Sequence, residues 1–145
     1  MPKALSVKQP WGQLIIHGAL DRHTGVHVWK DVENRRWKTK HRGLLCIHAS
    51  QSFDSEAYEM LRTRYDFALR LGMFPMGCML GEVEMYDCIS QRKPRRSTWH
   101  EHGLVGWYFK KPVVYRNQIE YKGQLGLWDF PEARRARCLA KTDVE

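Results

Sequence analysis

The sequence predicts an α+β domain built on a small β-barrel, with two early helices among about six short strands. Three observations predict it: two helical patterns in the first half, apolar runs of strand length bounded by Gly and polar clusters, and a second half without a long helical period. The chain has 145 residues, the size of one domain able to bury a single substantial core.

Taken in order, "ALSVKQ" alternates apolar positions at Leu5 and Val7 and predicts a short strand. "PWGQLIIHG" predicts a short helix, with Pro10 suited to a first turn, Gly18 to an end, and Trp11, Leu14, Ile15 and Gly18 on one inward face. Residues 19–29 have no clear period and predict a loop or excursion. "KDVENRRW" predicts a strand with Asp31, Glu33, Arg35 and Trp37 on one face and Lys30, Val32, Asn34 and Arg36 on the other. "GLLCIHAS" is apolar enough for a buried strand. From Ser52 to about Leu71, the spacing of Tyr58, Leu61, Tyr65, Ala68 and Leu71 predicts an amphipathic helix capped by Ser52 or Asp54, with Gly72 just past its end. "GCMLGEVEMYDCIS" predicts the next strand, Gly81 marking a bulge or bend. "GLVGWYFKKPVVYR" and "GQLGLWDF" complete the strands, and residues 132–145 form a tail that is either a short helix or frayed.

The net charge of +8 is concentrated. Residues 30–42 carry six cations and two anions, "RKPRR" at 92–96 adds four cations, and the remainder balances at fourteen against fourteen. Basic charge confined to two segments is the footprint of a polyanion partner. The four cysteines have no Cys-x-x-Cys spacing, so neither a zinc site nor a disulfide framework is indicated, and reduced thiols in a cytoplasmic protein are expected. No apolar run reaches the ~20 residues of a membrane span, and "MPKALSVKQPW" lacks the apolar centre of a secretory signal. No Gly-rich phosphate loop occurs, so neither a nucleotide cofactor nor any other is expected.

Trp37 among the cations and Trp11 near the first helix offer faces on which bases stack, worth ~1–3 kcal/mol per base. Glu33, a carboxylate among cations, can accept a hydrogen bond from a base amino group. Alternatively, it pairs with Arg35 or Arg42 as a structural bridge. Lys30, Glu33 and Arg35 also form a charge-coupled cluster of the kind that shifts pKa values, and with His41 and His48 they supply the groups for ribonuclease chemistry. His48 itself, inside "LLCIHAS", reads as a satisfied strand histidine. "HEH" at 100–102 reads as loop surface, with no metal site expected.

"LSVKQPWGQLIIHG", "KDVENRRWKTKHRGLLCIHAS", "FPMGCMLGEVEMYDC" and "KGQLGLW" stand in the order found in the ASCH domain family, which the chain resembles over roughly residues 4–130. The resemblance implies a PUA-like fold over residues 1–131, a partly closed β-barrel of about six strands with two flanking helices, and an insertion of ten residues within 19–29, since the family places its lysine, matched by Lys30, directly after the helix-end glycine and one further residue. It implies binding of RNA or single-stranded DNA, with a nucleoside ligand or a protein partner as alternatives. The implied contacts are Lys8, Gln9 and Trp11 at the floor, Lys30, Glu33, Arg35, Trp37, Lys38, Lys40 and Arg42 along the cleft, and Arg92, Lys93, Arg95 and Arg96 extending it. In the amidohydrolase branch of the family a lysine, a threonine three residues on and a glutamate act together. Here Glu33 holds the threonine position and Glu101 is the nearest glutamate, which disfavours that deacetylation; a hydrolase would use Lys30, Glu33 and Arg35.

Overall fold

The computed structural model describes residues 1–67 and 74–141. The strands β1 (Lys3–Gln9), β4 (Val32–Arg35), β5 (Gly43–Phe53), β7 (Cys78–Ile89), β8 (Val105–Val114) and β9 (Leu127–Asp129) form one mixed sheet in the order β4-β8-β7-β5-β1-β9. A second sheet, ordered β3-β2-β6, joins β2 (Ala19–Asp21), β3 (Val26–Val28) and β6 (Tyr65–Asp66). The helices are α1 (Trp11–Ile16), α2 (Ser55–Leu61) and α3 (Glu132–Leu139).

The α+β class holds, but among the described residues the expected partly closed barrel is corrected to an open sheet with three helices rather than two. β9 pairs only with Lys3, Ala4 and Leu5, so among the described residues the edge of β1 beyond Leu5 has no strand neighbour on that side. β4, at the other end of the sheet, turns its Arg35 towards that edge, and Arg35 Nη2 donates to the Ser6 carbonyl at 2.9 Å. A side chain crosses the seam where a closed barrel would have a ladder of backbone bonds.

The main core lies between the sheet and α1, with Leu5, Val7, Ile15, Ile16, Ile47, Leu80 and Trp107 buried together. α1 has no side-chain cap of its own; Gln9 supplies one, its Oε1 accepting from Gln13 N at 2.8 Å while Nε2 donates to Pro75 O at 2.8 Å. Gly18 ends the helix at φ 69°, and a Cβ there would collide with the Val28 carbonyl oxygen. Gly81 lies beside a bulge: Ile47 pairs with Gly81 and His48 with Met79, leaving Leu80 extra on β7.

Three stretches differ from the sequence expectation. Residues 19–29 are a hairpin, β2 and β3, turning at Gly25, whose strands of three residues are too short to show a period. The helix expected from Ser52 to Leu71 runs only from Ser55 to Leu61, with Asp54 Oδ1 accepting from Ala57 N as its cap. Tyr65 instead joins a strand, because the hairpin offers β2 as a partner with Leu20 opposite Asp66 and Asp21 opposite Tyr65. Ala68, Leu71 and Gly72 lie outside the described residues. The expected strand "KDVENRRW" is ordered as strand only over Val32–Arg35. At the C-terminal end, α3 packs onto the domain: Cys138 is fully buried beside Cys46, Met79 and Trp128. Arg135 grips Glu82 through Nε and Nη2, each at 2.9 Å, and Tyr115 donates to the same carboxylate at 3.0 Å.

Candidate functional site

The open seam is a cleft of about 970 Å³. Its walls are the free edge of β1 at Ser6 and Lys8, the β4 residues Glu33, Asn34 and Arg35, the β5 residues His48, Ser50 and Gln51, and the loop from Glu120 to Gly126; Trp11 and Gly77 complete the lining. Period two places Ser6 and Lys8 on the same side of β1, and Glu33 and Arg35 on the same side of β4.

One wall rests on an ion cluster. Lys30 is 4% exposed, and its Nζ donates to Val32 O and lies 3.4 Å from Glu33 Oε1. Arg35 Nη2 reaches the other carboxylate oxygen, Glu33 Oε2, at 2.9 Å. Burial pulls the Lys30 ammonium below the usual lysine range, and the Glu33 charge opposes that pull. Lys30 Nζ also stands 5.2 Å from the centre of the Trp11 ring, whose Nε1 donates to Asp54 Oδ2 at 3.3 Å. Glu33 therefore links a buried ammonium to a guanidinium, with each carboxylate oxygen already facing a cation.

The remaining residues singled out from sequence divide into groups. Lys8, Trp11, Glu33 and Arg35 line the cleft, and Lys30 lies behind it. Gln9 is fully buried and caps α1, away from the cleft lining. Trp37 is 40% exposed outside the cleft, edge-on to Trp107 at 4.7 Å, with its carbonyl accepting from Trp107 Nε1. Lys38, Lys40, Arg92 and Lys93 all lie exposed on the loops. Arg95 donates to His100 O at 3.1 Å.

The two basic segments nevertheless meet. Arg42 Nη2 lies 3.8 Å from Asp87 Oδ1, Arg96 Nη2 bonds Asp87 Oδ2, and the Arg96 guanidinium stacks 5.2 Å from the Tyr108 ring centre. Arg96 beside Asp87 holds that carboxyl below the ordinary aspartate range. Segments more than fifty positions apart in sequence thus form one cationic surface pinned on a single carboxylate.

Sequence reasoning did not single out Ser6, Asn34 or the 120–126 loop as site residues. Asn34 is committed at both ends, Nδ2 to Trp99 O at 3.0 Å and Oδ1 from Glu101 N at 2.9 Å, which fixes the neighbouring loop. His48, expected to be satisfied within its strand, is so: Nδ1 lies 3.0 Å from Ser6 Oγ and Nε2 2.7 Å from Tyr121 O. It also faces the cleft, a placement that the polar residue interrupting "LLCIHAS" signals only in retrospect. His100 is buried, bonded to Tyr108 and to Leu104 O, and no metal-binding group of His, Cys, Asp or Glu occurs among the described residues.

Fold and site together define a small α+β domain with a polar cleft at the open seam of its sheet and a cationic surface formed by two loops. The ASCH domain model matches residues 5–124, and the chain belongs to the ASCH domain family. It is similar to activating signal cointegrator 1 of Homo sapiens, 35% identical over 96 residues covering 61% of this chain and 15% of that protein. The Mus musculus protein of the same name is 34% identical over 96 residues, with the same coverage. The chain thus spans about 15% of the length of these curated relatives. No helix among the described residues is long and apolar enough to cross a membrane.

Proposed function

We propose that this chain is a PUA-like nucleic-acid-binding domain that recognises RNA or single-stranded DNA. The convergence of Arg42 and Arg96 on Asp87 carries the reading, because it unites the two segments that hold the whole net charge. Lys38, Lys40, Arg92 and Lys93, on the same two segments, supply further phosphate contacts. The cleft, at about 970 Å³, has room for an unstacked nucleoside. Trp11 provides a ring there, and Glu33 retains lone pairs for a base amino group while Lys30 and Arg35 hold it in place. Burial of Lys30 within this ion cluster makes it a scaffold for Glu33 and not a free amine, which favours binding over a hydrolase built on Lys30.

The test is fluorescence anisotropy with labelled single-stranded RNA, single-stranded DNA and duplex DNA at several salt concentrations, with a denaturing gel of each sample. Salt-sensitive binding of intact single strands is expected, with Lys38→Ala and Lys93→Ala each lowering the log–log salt slope by about 0.7. A salt-independent signal, or no binding to any strand, refutes the polymer reading.

A further inference from the structure

We infer that Ser6 and His48 form a nucleophile–base pair that cleaves esters of short acyl chains in the cleft. The two residues lie opposite one another in the parallel β1–β5 register, and both line the cleft. His48 Nε2 is 2.7 Å from the Tyr121 carbonyl oxygen, which accepts only, so Nε2 carries the ring proton. Nδ1 is then the acceptor, 3.0 Å from Ser6 Oγ, which donates to it. Burial lowers the basicity of the ring and keeps it neutral near pH 7, the state a general base requires. A backbone carbonyl thus orients the imidazole, the part a carboxylate plays in a Ser–His–Asp triad.

One further observation points to a substrate, and a second concerns the loop beside the pair. Arg35 Nε is buried without a partner while Nη2 of the same guanidinium donates to the Ser6 carbonyl at 2.9 Å, so an unused donor lies beside the nucleophile's own residue. A Cβ at Gly123 would sit 2.5 Å from Ser6 Oγ and 2.7 Å from His48 Cε1, so only a glycine lets the 120–126 loop pass this close beside the pair.

The reaction balances without a co-reactant other than water. Ser6 Oγ attacks the ester carbonyl carbon as its proton passes to His48 Nδ1, and Arg35 Nε–H donates to the oxyanion that forms. Collapse breaks the bond to the leaving alkoxide, which takes the proton from His48. Water then attacks the acyl-Ser6 with His48 again as base, releasing the carboxylic acid and restoring the hydroxyl.

This activity stands apart from polymer binding, and one experiment separates them. The full chain is treated with a fluorophosphonate, analysed by intact mass and peptide mapping, and assayed with p-nitrophenyl acetate. One phosphonyl adduct on Ser6 is expected, with turnover abolished in Ser6→Ala, lowered about a hundredfold in His48→Gln, and unchanged in Ser52→Ala, which lies outside the cleft. Should His48→Gln fail to fold, Ser6→Cys serves, its thiol expected to react with iodoacetamide at least tenfold faster than the half-buried Cys88. No adduct, an adduct elsewhere, turnover surviving in Ser6→Ala, or an introduced thiol no faster than Cys88 overturns the inference. RNA binding by the same preparation bears only on the polymer reading, so a strand binder without a Ser6 adduct refutes this inference alone.

Discussion

Replacing Glu33 by Gln removes the charge that compensates Lys30 while keeping nearly the same shape. Lys30 is 4% exposed and its Nζ has Glu33 Oε1 at 3.4 Å and Val32 O as its polar neighbours, so the variant strands an ammonium behind the cleft. Removing one partner of a buried pair costs about 3–5 kcal/mol, a large share of the ~5–15 kcal/mol that stabilises a typical domain. At this chain length the melting temperature should fall by roughly 10 °C or more. The assay is urea unfolding at pH 7 followed by tryptophan fluorescence. The double variant Lys30→Met/Glu33→Gln should recover most of the loss, because it removes the ion together with its partner. Raising the pH should also narrow the gap between Glu33→Gln and wild type. Burial already holds Lys30 below its unfolded value of 10.5, and without Glu33 it falls further, so the folded variant sheds its proton before the unfolded chain does. The variant's own stability therefore rises with pH up to about 10.5, and the gap to wild type narrows until wild-type Lys30, itself held below 10.5, also sheds its proton. A loss under about 1 kcal/mol, or a double variant no better than the single one, would refute the view of Glu33 as the anchor of this cluster.

Three other outcomes are expected. Asp87→Asn releases both Arg42 and Arg96, so single-strand affinity at low salt should rise several-fold with a steeper salt slope, measured by anisotropy; weaker binding would show that Asp87 is needed to shape the surface. Wild-type stability should decline between pH 7 and pH 5.5 by urea titration. Burial keeps His17 and His48 neutral in the fold while the unfolded chain protonates them below about 6.5, and His48→Gln should flatten the decline. Arg64→Ala removes the fork onto Asp21, whose Nε and Nη2 bonds measure 3.1 and 3.0 Å and hold the Asp21 carboxyl down at about 2. The Asp21 titration, followed by NMR, should move up towards 3.8, and limited proteolysis should cut faster near Gly25.

The legible parts of this fold were those governed by local pattern. β1, α1, β5, β7 and β8 announce themselves through apolar alternation or runs, and Gly18 and Gly81 mark a helix end and a bulge through their missing side chains. The illegible parts depend on partners distant in sequence. Tyr65 sits on a convincing helical stripe, yet it becomes strand because β2, over forty residues earlier, offers backbone groups to pair with. The same holds in the cleft. Glu33 and Arg35 were visible as one face of a strand, but the approach of β4 to Ser6 across an open seam is a property of the sheet's curvature, which no local period encodes. The charge runs were plain in the sequence, while their meeting at Asp87 required the β5–β7 pairing, which sets Gly43 opposite Met85.

The hairpin between Gly18 and Lys30 leaves and rejoins the molecule at one place. Gly18 N donates to Gln13 O at 3.0 Å and Lys30 N to Leu14 O at 2.9 Å, so both stems are fastened to adjacent carbonyls of α1. Chain of almost any length can be spliced between two such fixed stems, since the entropy of closing a loop grows only slowly with its length. Lys30 would keep its address whether the detour is short or long. That makes the stretch a natural socket for a grafted epitope or reporter that leaves the ion cluster around Lys30 undisturbed.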